Sequence, residues 1–402
     1  MSSMRVAMIG YGFMGAAHSQ GWRVAPRFFD LPADPRLALV VGRNADAVAA
    51  AAAKWGWEES ATDWRSALER DDIDVVDIVT PGDSHAEIAI AALEAGKHVL
   101  CEKPLANTVA EAEAMADAAA RAAERGVFAM VGFTYRRVPA TTFAKQLVAE
   151  GRIGTVTQVR ASYRQDWLVD PQVPLAWRLR KELAGSGALG DIGAHAIDLA
   201  QFITGLRLDA VSGTIETIVK ERPLPADSSP GEVASLGGAA GSGTGTVTVD
   251  DVAMFTGRFD SGALGSFEAT RFATGRKNAL RVEVSGTEGA LAFDLEDLNT
   301  LEFYDRTAPD DRQGFTRILV TEPQHPYVSA WWPTGHMLGY EHGFSHQVVD
   351  FVTAVAEGRQ PTPSFADGLQ VQRVLDAVER SAEHDSVWTR VPATAGVSTA
   401  AR

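Results

Sequence analysis

Three polar side chains recur at helical spacing near the middle of the chain. Asp191, His195 and Asp198 occupy positions i, i+4 and i+7, which places them on one face of a helix. A carboxylate beside an imidazole raises the basicity of the ring and fixes its tautomer. We therefore predict that His195 is a general base that removes a hydroxyl proton. As alternatives, Asp191 could cap the helix and His195 could be a buried structural histidine.

Lys103 is the second candidate for chemistry. It follows the apolar run His98–Cys101 and precedes Pro104, and a residue before proline is held extended. A lysine at the carboxyl end of a strand points into the crevice where α/β proteins bind ligands. Its ammonium could stabilise an alkoxide, or it could itself be the base if burial lowers its pKa. An exposed surface lysine is the competing interpretation.

A glycine-rich turn near the N-terminus predicts a dinucleotide site. The sequence Gly-Tyr-Gly-Phe-Met-Gly directly follows a strand pattern and opens a helical one, which is the setting that the dinucleotide fingerprint requires. The glycines permit a tight turn and close approach of the pyrophosphate, and the helix N-terminus offers free N–H groups to the anion. The predicted cofactor-binding residues of this turn are Gly10, Gly12, Phe13, Met14 and Gly15.

The end of the second predicted strand should distinguish NAD from NADP. An acidic side chain there binds the ribose hydroxyls of NAD, whereas an arginine pairs with the 2′-phosphate of NADP. Arg43 and Asn44 follow this strand without a carboxylate. We predict that both residues bind the cofactor and that it is NADP, with NAD as the alternative if Arg43 is only a surface residue.

The elements that must position these residues fall into two groups. Up to about residue 134, short β-branched runs alternate with alanine-rich helical patterns, which predicts a doubly wound parallel sheet, the Rossmann arrangement. The predicted strands are Arg5–Ile9, Leu37–Val41, Val75–Val79, His98–Cys101 and Phe128–Val131. The predicted helices are Met14–Ala25, Ala45–Trp55, Ser84–Ala95 and Thr108–Arg125.

The remainder, residues 135–402, is predicted to be an α+β domain with a large, mostly antiparallel sheet for substrate binding and oligomerisation. Its predicted strands are Thr155–Tyr163, Val211–Val219, Thr246–Phe255, Ala263–Ala269, Leu280–Val284 and Ala290–Phe293. Helices are predicted at Pro139–Ala149, Glu341–Glu357 and Gly368–Glu383. The stretch Pro223–Gly245, rich in Gly, Ser and Pro, is predicted to be a loop.

The net charge and the cysteine content exclude several classes of binding partner. The 402 residues carry a formal charge of −15, which disfavours nucleic acid, anionic membranes and acidic substrates. The single cysteine, Cys101, permits no intrachain disulfide and no cysteine metal cluster, and we predict no bound metal. The N-terminal apolar run is too short for a signal peptide or a membrane span. These features predict a cytoplasmic enzyme.

Together, these motifs resemble the glucose-fructose oxidoreductase/inositol dehydrogenase (Gfo/Idh/MocA) family. The motifs are Gly10–Gly15 followed by His18, Thr80-Pro81 with His85, Gly96–Leu105 with Glu-Lys-Pro, and Gly190–Asp198 with Asp-x-x-x-His. The resemblance implies an NAD(P)-dependent dehydrogenase acting on CH–OH groups, with Lys103, Asp191 and His195 catalytic. It adds Thr80, Pro81, His85, Glu102 and Lys103 to the residues expected at the cofactor.

The same resemblance places the substrate in the second domain. It implies that Tyr135, Arg136, Asp166, Trp167, Trp177 and Arg178 contact the substrate together with Asp191 and His195. Thr134 stands where the family commonly has asparagine. The segments around Trp167 and Trp177 are similar to those of members that oxidise the C3 hydroxyl of a 1,6-anhydropyranose such as levoglucosan. A neutral sugar, anhydrosugar or cyclitol is thus the expected substrate.

Two other functions stay open, and one property of the assembly is implied. Some family members use the dinucleotide transiently to cleave a glycosidic bond, and a non-catalytic dinucleotide-binding sensor is the second alternative. The set Lys103, Asp191 and His195 argues against the sensor, since a sensor needs no proton-transfer residues. The outer face of the second domain's sheet packs against another subunit in family members, which predicts a homo-oligomer, either a dimer or a tetramer.

Overall fold

A computed structural model describes residues 2–226 and 240–392 of the chain. In its N-terminal part, six strands form a parallel sheet in the order β3-β2-β1-β4-β5-β6. These strands are β1 Ser2–Ile9, β2 Ala33–Val41, β3 Glu59–Ala61, β4 Val75–Ile78, β5 His98–Cys101 and β6 Ala129–Val131. The helices are α1 Phe13–Phe28, α2 Ala45–Trp55, α3 Arg65–Leu68, α4 His85–Glu94 and α5 Val109–Ala123.

The second part contains a nine-stranded mixed sheet, in which β7 and β12 are the parallel pair among otherwise antiparallel neighbours. Its strands are β7 Val156–Arg164, β8 Leu208–Glu216, β11 Val252–Phe259, β12 Leu264–Thr270, β13 Ala279–Gly286, β14 Gly289–Asp294, β15 Thr300–Asp305, β16 Phe315–Leu319 and β17 Thr389–Arg390. A separate hairpin pairs β9 Glu221–Pro225 with β10 Ala240–Thr246. The helices are α6 Pro139–Ala149, α7 Lys181–Ala184, α8 Ala194–Thr204, α9 His342–Ala356 and α10 Phe365–Glu383.

This architecture confirms the predicted fold class, although two local predictions were wrong. The stretch Thr246–Phe255 is not one strand, because the chain turns between β10 and β11, where the Asp251 carboxylate accepts hydrogen bonds from the backbone N–H groups of Ile218 and Val219. The predicted loop Pro223–Gly245 is in part a hairpin, since its two ends pair as β9 and β10. Residues 227–239 of that stretch lie outside the described residues.

The C-terminal helices tie the two sheets together. Helix α9 packs against α1, and α10 packs against α5 and β8. Phe351 is fully buried and meets Trp22 of α1 edge to face, with ring centroids 6.1 Å apart. The carboxyl ends of β4 and β5 are thereby held against segments of the second sheet, and the candidate site lies along this junction. Within the described ranges, no helix is long and apolar enough to cross a bilayer.

Candidate active site

Lys103 and Asp191 meet across the junction of the two sheets. Lys103 lies two residues beyond the end of β5, and its Nζ donates a 2.7 Å hydrogen bond to the backbone carbonyl of Asp191. The same Nζ is 3.5 Å from Asp191 Oδ1, and the guanidinium of Arg271 approaches Oδ2 at 3.7 Å. The carboxylate therefore lies between two cations, and only Lys103 of these two was expected from the sequence.

This setting keeps Asp191 ionised and His195 neutral. Burial by itself would raise the pKa of Asp191, but the positive charges of Lys103, Arg178 and Arg271 lower it to about 2. Burial, assisted by the charge of Lys103, lowers the pKa of His195 well below its usual value. Asp191 raises the pKa of His195, as expected for a neighbouring carboxylate, but burial and Lys103 outweigh it and the net pKa is low.

The ring of His195 is surrounded by aromatic side chains. Its centroid lies 4.6 Å from that of Tyr135, 5.9 Å from Tyr163 and 6.1 Å from Phe133. Its Nδ1 is buried and has no hydrogen-bond partner among the described residues. His195 is partly exposed. Its neutral imidazole therefore lies beside Lys103 and Asp191, in a largely apolar wall that a ligand can reach.

Asp191 lies in a π-helical turn, Leu189–Gly193, that leads into α8. Such turns are frequent at functional sites because they displace one residue from the regular ladder. Asp198, one turn beyond His195, does not join the group. Arg136 donates from Nε to both carboxylate oxygens of Asp198, at 2.9 and 3.1 Å, and from Nη2 to Oδ1 at 2.5 Å.

The pair Arg136–Asp198 changes two sequence-based expectations. The Asp198 carboxylate is bound by a guanidinium and not by the imidazole of His195. The guanidinium of Arg136 is committed to this buried ion pair and lies 5.1 Å from the ring of Phe202. The guanidinium that was expected at the substrate thus binds Asp198 in this geometry, and it fixes the start of the second domain against α8.

A chain of hydrogen bonds links Tyr135 to the residues expected at the substrate. The phenol groups of Tyr135 and Tyr163 are 2.8 Å apart, and Tyr163 donates to Asn278 Oδ1 at 2.7 Å. Gln165 Nε2 donates to the same oxygen at 2.8 Å, and its own Oε1 accepts from Trp167 Nε1 at 2.9 Å. Sequence reasoning missed Tyr163 and Asn278.

Two other residues at this site, Gln165 and Arg271, could have been found from the order of the strands. Because β7 and β12 are parallel, their carboxyl ends meet at one edge of the sheet. Gln165 and Arg271 each follow one of these ends directly. The rule that singled out Lys103 after β5 would also have selected them, had the parallel pairing been known.

The remaining substrate-side residues are distributed around this edge. Trp167 lies against the guanidinium of Arg271, 5.5 Å from its ring centroid. Arg178 stacks on the neighbouring Trp177 at 4.3 Å and contributes positive charge at Asp191. Asp166 instead binds Lys277 Nζ at 2.7 Å and the backbone N–H of Gly275 at 3.0 Å, so its carboxylate already has partners.

The fingerprint turn has the shape that a dinucleotide needs. Gly10 has φ +114°, and a Cβ there would lie 2.9 Å from the carbonyl oxygen of Val79; a Cβ on Gly15 would lie equally close to the carbonyl oxygen of Gly10. Gly12 precedes α1 without a side-chain cap, so the first N–H groups of the helix are available to an anion. Met14 is partly buried beside this turn.

Phe13 and Tyr340 mark the side of this turn that faces the second domain. Phe13 is 58% exposed and stacks on Tyr340 with ring centroids 6.5 Å apart. The ring of Tyr340 is 6.4 Å from that of Tyr135. Tyr340 therefore joins the fingerprint turn to the aromatic wall around His195, a connection that sequence reasoning missed.

At the end of β2, the two predicted cofactor residues differ in their surroundings. Arg43 is exposed to solvent. The side-chain oxygen of Asn44 accepts the backbone N–H of Ala47 at 3.0 Å and caps α2. Tyr11 packs over Gly42 so closely that a Cβ there would lie 2.0 Å from its ring. Of the two predicted residues, Arg43 is the one whose side chain is accessible to a ligand.

His85 connects two loops at the carboxyl edge of the parallel sheet. Its Nε2 lies 2.9 Å from the carbonyl oxygen of Thr80, and its Nδ1 lies 3.0 Å from that of Pro104. Thr80 Oγ1 also accepts the hydroxyl of Ser84 at 2.7 Å. The segment Thr80-Pro81 and the loop that carries Lys103 are thus fixed to each other.

Glu102 belongs to a buried cluster beneath this edge. His18 has its Nδ1 2.9 Å from Asp77 Oδ2 and its Nε2 3.0 Å from Glu102 Oε1, and Trp22 donates to Asp77 at 2.7 Å. The other carboxylate oxygen of Glu102 accepts the backbone N–H of Lys103 at 3.2 Å. Glu102 is 4% exposed, so it supports Lys103 from below and is not open to a ligand.

Comparison with known proteins identifies the family. A model of the oxidoreductase family with an NAD-binding Rossmann fold matches residues 4–133, and one of the GFO/IDH/MocA C-terminal domain matches residues 141–292. The chain is 44% identical over 394 residues to the levoglucosan dehydrogenase of Pseudarthrobacter phenanthrenivorans, covering 98% of this chain and 99% of the relative. The chain belongs to the Gfo/Idh/MocA family.

Solved structures of Gfo/Idh/MocA proteins agree with this assignment. An oxidoreductase domain protein from Kribbella flavida is 64% identical, with a TM-score of 0.92, and covers 98% of this chain and all of its own. A levoglucosan dehydrogenase in complex with NADH and levoglucosan is 43% identical, with a TM-score of 0.90 and the same coverage. The chain is therefore an NAD-binding oxidoreductase of this family and is similar to levoglucosan dehydrogenase over nearly its full length.

Proposed function

We propose that this protein oxidises a ring hydroxyl, that at C3, of a neutral anhydrosugar such as levoglucosan. The observation that carries the proposal is the group Lys103–Asp191–His195, which lies at the junction between the dinucleotide fold and the second sheet. The 44% identity to a levoglucosan dehydrogenase supports the choice of substrate. Trp167 and Tyr135 line the same edge, and aromatic faces suit the C–H surface of a pyranose ring.

Each member of the group has a distinct part in the proposed reaction. His195 is neutral at physiological pH, because its pKa is held well below 6.5 by burial and Lys103, so it can accept the hydroxyl proton. The ammonium of Lys103 stabilises the negative charge that develops on the same oxygen. Ionised Asp191 balances the cations around it and holds Lys103 in place. Hydride acceptance is the chemistry that a nicotinamide supplies when bound.

Residues of the fingerprint turn and the neighbouring loops would hold the dinucleotide. Gly10, Gly12 and Gly15 would cradle the pyrophosphate with the N–H groups at the start of α1. Phe13 and Met14 would border it on the side of the second domain. The segment Thr80-Pro81, fixed by His85 to the Lys103 loop, would lie along the nicotinamide half.

The experiment is a steady-state assay of reduced nicotinamide formation with levoglucosan, glucose, myo-inositol and 1,5-anhydroglucitol. We expect turnover with levoglucosan and a loss of two or more orders of magnitude in kcat for Lys103→Met and His195→Phe. Lys54→Met is the matched control for charge, since Lys54 is exposed on α2. Absence of net reduction with every sugar would contradict the proposal, and the transient-oxidation glycosidase would then be assayed.

The proton acceptor can be distinguished within the same assay. If His195 is the base, a His195→Phe variant loses the acid limb of the pH profile while Lys103→Met retains it. If Lys103 is the base, the reverse result is expected. Cofactor affinity, measured by the fluorescence of bound NADH, should change little in His195→Phe, because His195 is not among the residues expected at the cofactor.

Cofactor choice is proposed separately. The exposed Arg43 favours NADP, while the solved levoglucosan dehydrogenase complex contains NADH. We propose that the protein accepts both and that Arg43 supplies the affinity for the 2′-phosphate. A charge-assisted hydrogen bond is worth about 1.5–3 kcal/mol, so Arg43→Ala should lower kcat/KM for NADP about tenfold or more. The kcat/KM for NAD should change less than about twofold, and Lys54→Ala controls for the loss of one positive charge. Equal losses of kcat/KM with both cofactors would contradict the assignment of Arg43.

The protein is further proposed to be a cytoplasmic homo-oligomer, dimeric or tetrameric. Its one cysteine, Cys101, is buried and unpaired, which suits a reducing compartment. The outer face of the nine-stranded sheet includes Met254, whose side chain is half exposed. Leu264 of the neighbouring strand β12 is exposed on the same face, and exposed apolar side chains on adjacent strands support packing against a second subunit.

A further inference from the structure

The π-helical turn that carries Asp191 is held by a residue far away in the sequence. Asp250, 5% exposed, accepts the N–H of Gly187 at 2.7 Å with Oδ1 and the N–H of Leu189 at 2.8 Å with Oδ2. The backbone carbonyl of Asp250 accepts the N–H of Ala188 at 3.1 Å. Three successive N–H groups before Asp191 are thus bound by one residue, which fixes the backbone of the turn.

Arg271 joins this anchor to the carboxylate of Asp191. Its side chain is fully buried, its Nη2 donates to the carbonyl of Asp250 at 2.9 Å, and its Nη1 lies 3.7 Å from Asp191 Oδ2. Nη1 and Nε are buried without a hydrogen-bond partner among the described residues. With Trp167 beside the guanidinium, the charge of Arg271 is directed toward the active site.

We propose that Arg271 is a positioning residue that shares the carboxylate of Asp191 with Lys103 and so keeps Lys103 from closing into a tight ion pair. This inference rests on the proposed function, in which the ammonium of Lys103 must reach the substrate oxygen. Asp250 supports it by fixing both the turn and the guanidinium.

The distances give the physical reason. Lys103 Nζ is 3.5 Å from Oδ1 and Arg271 Nη1 is 3.7 Å from Oδ2, whereas charge-assisted hydrogen bonds are about 2.7–2.9 Å long. The carboxylate is drawn toward both cations and closes on neither. Without the charge of Arg271, the carboxylate could turn toward Lys103 and form a short pair, which would withdraw the ammonium from the substrate.

The charged groups around Asp191 and Arg271 determine the pKa of the Asp191 carboxyl. The charges of Lys103, Arg178, Arg271 and His195 lower the pKa of Asp191. The negative charge of Asp191 in turn raises the pKa of the Tyr163 phenol. Arg271 in turn faces Asp191 and interacts with Asp251 and Arg222. Loss of the positive charge of Arg271 raises the pKa of Asp191, because that charge is one of the causes that hold this pKa low.

The test compares three substitutions. Arg271→Met removes the charge, Arg271→Lys keeps it, and Arg222→Met is the matched control. Arg222 is equally buried in the same domain but bonds to the backbone carbonyls of Leu168 and Asp170. For Arg271→Met we expect kcat to fall at least about tenfold and the acid limb of kcat/KM to move up by about one pH unit. Arg271→Lys should retain the wild-type limb.

Binding of NADH, followed by its fluorescence, should stay within twofold in all three variants. A uniform loss of activity with an unmoved acid limb in Arg271→Met would overturn the proposal. An equal shift in Arg222→Met would also overturn it, because the effect would then come from loss of any buried arginine.

A readout without substrate separates this inference from the proposed function. In a crystal structure of Arg271→Met, the Lys103 Nζ–Asp191 carboxylate distance should shorten to about 2.8 Å, while it should stay near the wild-type value in Arg222→Met. If no sugar is oxidised but this shortening occurs, the proposed function fails and the positioning by Arg271 stands. If the sugar is oxidised and the distance is unchanged, the positioning fails alone.

Discussion

The buried cluster of His18, Asp77 and Glu102 offers the sharpest test of how the cofactor fold is held beneath Lys103. Both ring nitrogens of His18 face carboxylate oxygens at 2.9–3.0 Å, and all three side chains are at most 5% exposed. The cluster carries one net negative charge wherever its shared proton lies. Replacing His18 by glutamine removes the proton and leaves two carboxylates in an apolar interior, which is strongly unfavourable.

The size of the effect follows from the ionisation of His18. Burial by itself would lower its pKa, but the charges and hydrogen bonds of Asp77 and Glu102 outweigh burial and raise the pKa to about 10. When folding raises the pKa of a group, that group stabilises the protein fully at any pH below its pKa in the unfolded state. The stabilisation is lost as the pH rises toward and through its pKa in the folded state. At about 1.4 kcal/mol per pKa unit, His18 contributes about 4 kcal/mol near pH 7 and about 1 kcal/mol near pH 9.

The assay is urea denaturation of the wild type, the single variants His18→Gln and Glu102→Gln, and the double variant His18→Gln/Glu102→Gln at both pH values. We expect His18→Gln to lower the free energy of unfolding by about 3–5 kcal/mol near pH 7. The double variant restores a net charge of −1 and should be less destabilised than the sum of the two single changes by at least about 1 kcal/mol. His98→Gln is the control, since His98 Nδ1 accepts a backbone N–H and burial lowers its pKa despite the charge of Asp74.

The pH dependence gives the discriminating result. The double variant has neither the titrating imidazole nor the second carboxylate, so its stability difference from the wild type should narrow by about 2–3 kcal/mol between pH 7 and pH 9. A loss below about 1 kcal/mol in His18→Gln, comparable to His98→Gln, would refute the ionised cluster. A difference that stays constant with pH would refute the raised pKa of His18.

Three further outcomes are expected. Gly187→Ala should lower kcat at least about tenfold and reduce the thermal midpoint, because its Cβ would lie 1.8 Å from the carbonyl oxygen of Asp250; wild-type kinetics would contradict the close packing of the π-helical turn. Asp191→Asn should lower kcat about a hundredfold with little change in NADH affinity, and a purely weakened NADH affinity would place Asp191 at the cofactor instead. Light scattering should give a dimer or tetramer that Met254→Asp reduces to a smaller species, and a monomeric wild type would contradict the subunit interface.

Much of the fold was accessible from the sequence because its signals are local. The parallel sheet follows from short apolar runs alternating with alanine-rich helices, and the glycines of the fingerprint mark a turn whose conformation depends on a few neighbouring residues. The strand-end position of Lys103 and the helical spacing of Asp191 and His195 are also local properties. These sufficed to predict the fold class and to place the three residues in one candidate group.

The surroundings of that group could not be predicted, because they depend on contacts between distant segments. The helical spacing assigned Asp198 to His195, yet Arg136, which arrives from a different element, binds it. Arg271 and Asp250 reach the active site only because the start of β11 and the end of β12 lie beside the π-helical turn. The sequence by itself determined which elements form and which side chains could do chemistry; the tertiary structure decided which charges share each buried carboxylate, since burial and Coulomb interactions depend on distances through space and not along the chain.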